Sequence, residues 1–185
     1  KVRHPLLGRE FPVVADAINK QINAELSASY SYLAMSAWCD HTNFTGCAKW
    51  FRLQSQEEYA HAMRLFDFVL ARGGKVELTP LAGPRIEYGS VKEVFETAYA
   101  QEQTVTQQIN SLYEVAFANK AFDTVVQTEW FVNEQVEEEK TVREIVAKLR
   151  MIGDDAPSLL DLDRELGARQ PEAAIGFVCQ LGKIA

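Results

Sequence analysis

Residues 73–89 read GGKVELTPLAGPRIEYG and interrupt a sequence that is otherwise strongly helical in pattern. Glycine and proline recur in this stretch, at positions such as Gly73, Pro80 and Pro84, and both residue types disfavour a continuing helix. At about 17 residues, the stretch is too long for a tight loop between neighbouring antiparallel helices. We therefore interpret it as a crossover connection between two pairs of helices.

Four long helical patterns flank the crossover, two on each side, and a short one follows them. The expected helices cover about residues 11–40, 45–71, 90–118, 122–151 and 157–167. In the first, apolar residues recur every three or four positions, at Val14, Ile18, Ile22, Leu26, Tyr30, Leu33 and Ala37. Ser90 and Glu93 form a capping-box pattern at the start of the third. Residues 41–43 are expected to separate the first two helices and to supply capping residues.

The architecture follows from this order of helices. The sequence has no segment of consequence with the alternating pattern of a strand and no glycine-rich phosphate loop. Two short-linked helix pairs joined by one long crossover indicate an all-α four-helix bundle with a short fifth helix. We predict one domain, 1–185, with a core bundle at about 11–153, the fifth helix at about 157–167 and a C-terminal extension at 168–185.

Composition excludes some classes of function. The net charge of −7 argues against a nucleic-acid binder, which needs a basic face to neutralise phosphates. No apolar run approaches the roughly 18 residues of a membrane span. Cys39, Cys47 and Cys179 form no CxxC pair, which fits a reducing compartment. We expect a cytoplasmic protein; because the chain starts at Lys1, a processed N-terminus and a plastid or other organelle stay open.

Carboxylates on several helices share faces with apolar residues. Glu25 and Tyr32 are seven residues apart, about 20° short of two helical turns, so both project from one face of the first helix. Glu58 and His61 are three residues apart and share a face of the second helix with Leu65. Each pattern alone is more often an exposed coincidence or a satisfied hydrogen bond than a metal site.

The coincidence across four helices changes that balance. Glu25 and Glu102 each lie on one helix, while the pairs Glu58/His61 and Gln135/Glu138 lie on the other two. This is the known layout of carboxylate-bridged di-iron bundles. Iron(II) accepts carboxylate oxygens and an imidazole nitrogen, whereas zinc prefers closed tetrahedral sites that the scattered cysteines cannot build. The pattern therefore favours a di-iron centre inside the bundle.

Four segments resemble the helices of the non-haem ferritins, in particular the bacterial type. They read NAELSASYSYLAMSAW (23–38), QEEYAH (56–61), EQTVTQQIN (102–110) and WFVNEQVEEE (130–139). The resemblance covers about residues 11–167. It implies a ferritin-like fold and a homo-oligomeric shell of twenty-four subunits. It also implies oxidation of Fe(II) by O2 or H2O2 and storage of the Fe(III) product as mineral.

The resemblance also implies a role for individual residues. Glu25, Glu58 and His61 would bind the first iron; Glu58 would bridge to the second iron, which Glu102 and Glu138 complete. Gln135 lies beside the second iron, and Tyr32 lies next to the centre as a hydrogen-bond or electron donor, with a simple core tyrosine as the equal alternative. A third, inner iron position would use Glu57, Glu134 and Glu137, which could instead be generic inner-surface acids. Bacterioferritins carry a second Glu-x-x-His where this chain has Gln135 and Glu138, which disfavours that type. No haem is expected, because no methionine is placed as an axial haem ligand between subunits.

Three alternatives stay open from sequence. A storage shell without oxidase activity would lack the di-iron ligands that this chain retains. A di-iron oxygenase or peroxidase acting on an organic substrate would need a substrate pocket and usually a second Glu-x-x-His. A small DNA-protecting shell would lack the fifth helix and bind metal between subunits.

Overall fold

The computed structural model describes residues 11–171. Within them the chain forms five helices and no strand: α1 (Phe11–His41), α2 (Thr45–Ala71), α3 (Val91–Ala118), α4 (Phe122–Ile152) and α5 (Ala156–Gly167). None of these helices combines the length and apolarity needed to cross a membrane. Of the predicted C-terminal extension, 168–185, only residues 168–171 are described, and Cys179 lies outside the described range.

The four long helices form the predicted bundle. α1 packs mainly against α2, α3 packs against α4, and α1 joins the two pairs through α3. The crossover follows α1: the Asn19 side chain donates to the carbonyl of Lys75 (3.0 Å), and the backbone N–H of Thr79 donates to Asn23 (2.8 Å). Further along, the rings of Trp38 and Tyr88 meet at 5.7 Å. The crossover thus links the two helix pairs while it covers one side of α1.

The core is divided into two apolar clusters. One includes Phe51 of α2 and Phe95 of α3, towards the α5 end of the bundle. The other includes Ile18 of α1 and Ile109 of α3, towards the opposite end. The buried members of the two clusters include no residue of α1 between 23 and 31 or of α4 between 132 and 141, although Leu26 and Val132 pack at the edge of the second cluster. A layer of different chemistry therefore lies midway along the bundle.

The buried face of α1 corrects one expectation. Val14, Ile18 and Ile22 are buried as predicted, but Tyr30 and Leu33 are more than two-fifths exposed. Each step of four residues turns the stripe by about 40° beyond a full turn, so a stripe that continued as 26, 30 and 33 would leave the core. The chain instead steps by three to Glu25 and buries Ala28, Tyr32, Met35 and Cys39.

The short α5 packs on α2 through a helix cap. The N-cap residue of α2, Phe44, provides no side-chain cap. The Asp163 carboxylate of α5 accepts instead from the backbone N–H groups of Gly46 (3.1 Å) and Cys47 (2.8 Å). The predicted break does supply a capping residue, because the Thr42 hydroxyl donates to the carbonyls of Trp38 and Cys39 at the end of α1. The cap of α2 comes instead from a residue 117 positions later in the chain. This contact holds α5 against α2 and so sets the position of the residues that follow α5.

Candidate metal centre

The layer between the two apolar clusters is built of carboxylates and one imidazole. Glu25 from α1 and Glu58 and His61 from α2 place one ligand atom each within 4.8 Å of one another. All three side chains are buried, and Glu58 is 0% exposed. His61 Nδ1 lies 3.4 Å from Glu58 Oε2, while the rings of Trp130 and Phe131 contact the imidazole edge-on. Packing and helix register together hold the three ligands in place.

Two further carboxylates enter the layer from α3 and α4. Glu102 is 0% exposed and accepts hydrogen bonds from the Tyr32 hydroxyl and from Gln135 Nε2, the latter at 3.3 Å. Glu138 is buried and accepts from Gln54 Nε2 at 2.9 Å. The second group of ligand atoms within 4.8 Å consists of His61, Glu134 and Glu138.

Several polar atoms of the layer have no hydrogen-bond partner among the described residues. They are Glu25 Oε2, both carboxylate oxygens of Glu58, and Nε2 of His61. A buried carboxylate without a partner costs several kcal/mol, and a bound cation removes that penalty. Oxygen and imidazole donors of this kind suit iron(II) and related divalent metals. The unpaired atoms lie on the three residues that form the first ligand group, so the donor set fits a metal.

A sequence model of the Ferritin family, described as a ferritin-like domain, matches residues 15–152. The chain belongs to the ferritin family. It is 38% identical over 155 residues to the bacterial non-heme ferritin of Escherichia coli O157:H7, which covers 84% of this chain and 94% of the relative. It is 36% identical over 154 residues to that of Staphylococcus aureus strain USA300, covering 83% and 93%.

Solved ferritin structures also match the fold. An open pore ferritin from the hyperthermophilic archaeon Archaeoglobus fulgidus superposes with a TM-score of 0.84 and 45% sequence identity. The match covers 85% of this chain and 96% of that one. The four-helix bundle with its long crossover, predicted from the sequence, is therefore confirmed as a ferritin fold.

Burial and mutual repulsion raise the pKa of the carboxyls in this ferritin layer. Burial is the larger cause for Glu58, followed by the charges of Glu102 and Glu138. Burial is also the main cause that raises the pKa of Glu25 and Glu102, and burial together with the charge of Glu102 raises that of Glu138 to about 8. The pKa of Tyr32 is raised by burial and by the neighbouring Glu102. Without metal, the layer therefore retains protons that a cation would displace.

The residues predicted for the third metal position are not brought together in the single chain. Glu57 is buried, and its Oε2 accepts from Arg169 at 2.7 Å. Glu134 lies with His61 and Glu138 in the second ligand group. Glu137 points outward, with its side chain 69% exposed and 3.5 Å from Lys140.

Sequence reasoning missed the residues that surround the ligands. Gln21 Nε2 donates to Glu25 at 2.8 Å, and Gln54 donates to Glu138. Gln135 Nε2 also contacts Thr106 at 3.2 Å, and Thr106 donates to Glu139 at 2.6 Å. Helical spacing offered a signal for Gln21 and Gln54, since each is four residues before a predicted ligand on the same face. No local pattern pointed to the contact of Arg169, which lies more than a hundred residues from its partners.

Proposed function

We propose that the chain is a ferroxidase and iron-storage subunit whose oxidation site is the carboxylate layer of its own bundle. The observation that carries this proposal is the buried trio Glu25, Glu58 and His61, whose free ligand atoms converge from two helices. Membership of the ferritin family supports the same activity, the oxidation of Fe(II). Iron is the substrate here.

The residues divide into two iron positions. Glu25 and His61 bind the first iron, Glu102 and Glu138 bind the second, and Glu58 bridges the two. Glu58 suits a bridge because both of its oxygens lack a hydrogen-bond partner among the described residues. Gln135 and Tyr32 hold Glu102 through hydrogen bonds and orient it towards the second iron.

The reaction moves one electron from each Fe(II) to the oxidant. Two irons supply the two electrons that, with two protons, convert O2 to H2O2, or convert H2O2 to two waters. The carboxylates stabilise the added charge of Fe(III), and the buried layer limits access of water. Protons that the carboxyls release on binding Fe(II) are available for that reduction.

A third iron position would lie beside the centre and use Glu57, Glu134 and Glu137. Glu134 supports this assignment because its carboxylate lies with the Glu138 carboxylate and the His61 imidazole in one ligand group. Glu137 would have to turn inward from its exposed position in the single chain. The site contains no haem in this proposal, and Fe(III) passes on to mineral in the cavity of a shell of twenty-four subunits.

Rapid mixing tests the proposal. Metal-free protein receives two Fe(II) per subunit without oxygen and is then mixed with O2 while absorbance is followed. We expect a fast phase that saturates at two irons per subunit and is lost in Glu58→Ala and in His61→Ala. Glu144→Ala, which removes an exposed carboxylate of α4, is the matched control and should keep the fast phase. Oxidation by Glu58→Ala at the parent rate would exclude this layer as the oxidase site.

A further inference from the structure

Arg169, just after the end of α5, reaches back to a stripe of residues on α2. Its guanidinium donates through one nitrogen to Gln54 Oε1 and through the other to Glu57 Oε2, the latter at 2.7 Å. The same group lies over the ring of Trp50, with its central carbon 5.1 Å from the ring centroid. These three residues follow the helical spacing of one face, so α2 presents a ring, an amide and a carboxylate to one cation.

The contact leads on to the metal centre. Gln54 is 0% exposed, and its amide accepts from Arg169 through oxygen while it donates through nitrogen to Glu138 Oε2 at 2.9 Å. Arg169 therefore fixes which end of the amide faces Glu138. A hydrogen bond on one oxygen of a ligating carboxylate leaves the other oxygen to face the metal and sets its orientation.

The position of Arg169 depends on how α5 is attached. Asp163 caps α2 from within α5, and Lys49 Nζ donates to the carbonyl of Gly167 at 2.7 Å. These contacts hold the last turn of α5 against α2, two residues before Arg169. The Arg169 side chain is only 20% exposed. Its ion pair with Glu57 is therefore part of the packed junction between α5 and α2 and differs from a pair on the open surface.

We propose that Arg169 is an internal counter-cation of the iron centre, which occupies Glu57 until a third iron displaces it and which positions Glu138 through Gln54. The cation and the third iron compete for one carboxylate. In the metal-free chain the arginine neutralises Glu57 beside the other acids, and a third iron binds only after the guanidinium leaves. Arg169 is thus a positioning residue that favours occupation of the two-iron centre before the third position.

This inference rests on the proposed function, since it assumes the three iron positions. Anaerobic calorimetric titration of the full, metal-free protein with Fe(II) tests it, because binding is measured without oxidation. We expect the parent to bind two irons tightly and a third more weakly. In Arg169→Gln the third iron should bind about tenfold more tightly, because no cation then competes for Glu57.

Matched variants separate competition for Glu57 from a general effect of charge. Arg169→Lys keeps a charge near Glu57 but cannot form the fork to Gln54, so the third iron should bind nearly as in the parent. Arg164→Gln removes the same charge from an exposed position of α5, where the arginine contacts Asp161 of the same helix, and should leave all three affinities unchanged. Adding Glu57→Gln to Arg169→Gln should cancel the gain.

The possible results have distinct meanings. An unchanged third affinity in Arg169→Gln, with two tight irons still bound, would overturn the competition and leave the proposed function intact. An equal gain in Arg164→Gln would assign the effect to the general loss of a positive charge and would also overturn it. Failure of the parent to bind two irons tightly would contradict the proposed function, and with it this inference.

Discussion

At the scale of single residues, the buried carboxyls of the carboxylate layer keep their protons at pH values where free carboxyls are ionised. Glu138 illustrates the balance: burial, and after it the charge of Glu102, raises its pKa, the hydrogen bond from Gln54 opposes the rise, and the net result is a pKa of about 8 instead of 4.5. A raised carboxyl pKa means that the metal-free fold prefers the protonated form. The resulting contribution to stability is complete below pH 4.5, decreases as the pH rises from there, and is lost above about pH 8.

Glu138→Gln should therefore change the pH dependence of stability in the metal-free protein. The amide carries no charge, so the variant avoids the cost that the parent meets as Glu138 ionises. We expect the melting temperature of the parent, relative to the variant, to decrease between pH 6 and pH 8. Thermal unfolding of both proteins in a chelating buffer measures this. A difference that stays constant over that interval would contradict the raised pKa.

Tyr32 provides a second test at this scale. Its buried hydroxyl donates to Glu102, and its ring stacks on Phe51 at 5.9 Å. Tyr32→Phe keeps the ring contact but removes the donor that orients Glu102. We expect the fast phase of iron oxidation to slow by about 10- to 100-fold, a common effect of removing a partner of a metal ligand. Stopped-flow absorbance measures the rate, and Tyr30→Phe, an exposed position on the same helix, should match the parent.

At the scale of helices, local signals predicted the elements well. The observed ends of α1 and α4 lie one residue beyond the predicted ones, and α5 begins one residue earlier. Ser90 accepts from the backbone N–H of Glu93 as the capping-box pattern predicted, although the Glu93 carboxylate accepts from Gly89. The convergence of Glu25, Glu58 and His61 could be predicted because helical spacing fixes which face they share; their role as iron ligands stays a prediction. The partners of Gly46 and Glu57 could not, because both contacts come from the far end of the sequence.

The junction of α2 and α5 makes its own prediction. A Cβ atom at Gly46 would lie 1.8 Å from the backbone oxygen of Asp163, so α5 would have to move away from α2. We expect Gly46→Ala to destabilise the protein by about 1–3 kcal/mol, the usual effect of overpacking. Chemical denaturation measures the loss. Gly83→Ala on the crossover is the control, because a Cβ there meets nothing within 4 Å. Equal stability of the two variants would show that this close approach is unimportant.

At the scale of the whole molecule, the side formed by the crossover and α1 exposes several large apolar side chains to solvent in the single chain. Leu81 and Ile86 of the crossover are 40% and 64% exposed, and Tyr30 and Leu33 of α1 are exposed as well. Because the crossover runs along α1 from Asn19 to Trp38, these side chains lie on the same side of the bundle. Exposed apolar patches of this kind commonly mark contacts between subunits.

A charge placed on this side should therefore weaken assembly without unfolding the chain. If twenty-four copies of the 20.8 kDa chain form the shell, the parent should elute near 500 kDa, by the closed symmetry expected of homo-oligomers. We expect Leu81→Asp to shift the protein to much smaller species with unchanged helical circular dichroism, because a carboxylate cannot be buried cheaply at an apolar contact. Gln107→Asp adds the same charge at an exposed position of α3 and should leave the mass unchanged. Light scattering after size exclusion distinguishes the two. A Leu81→Asp protein that still assembles at the parent mass would show that this side faces solvent in the shell.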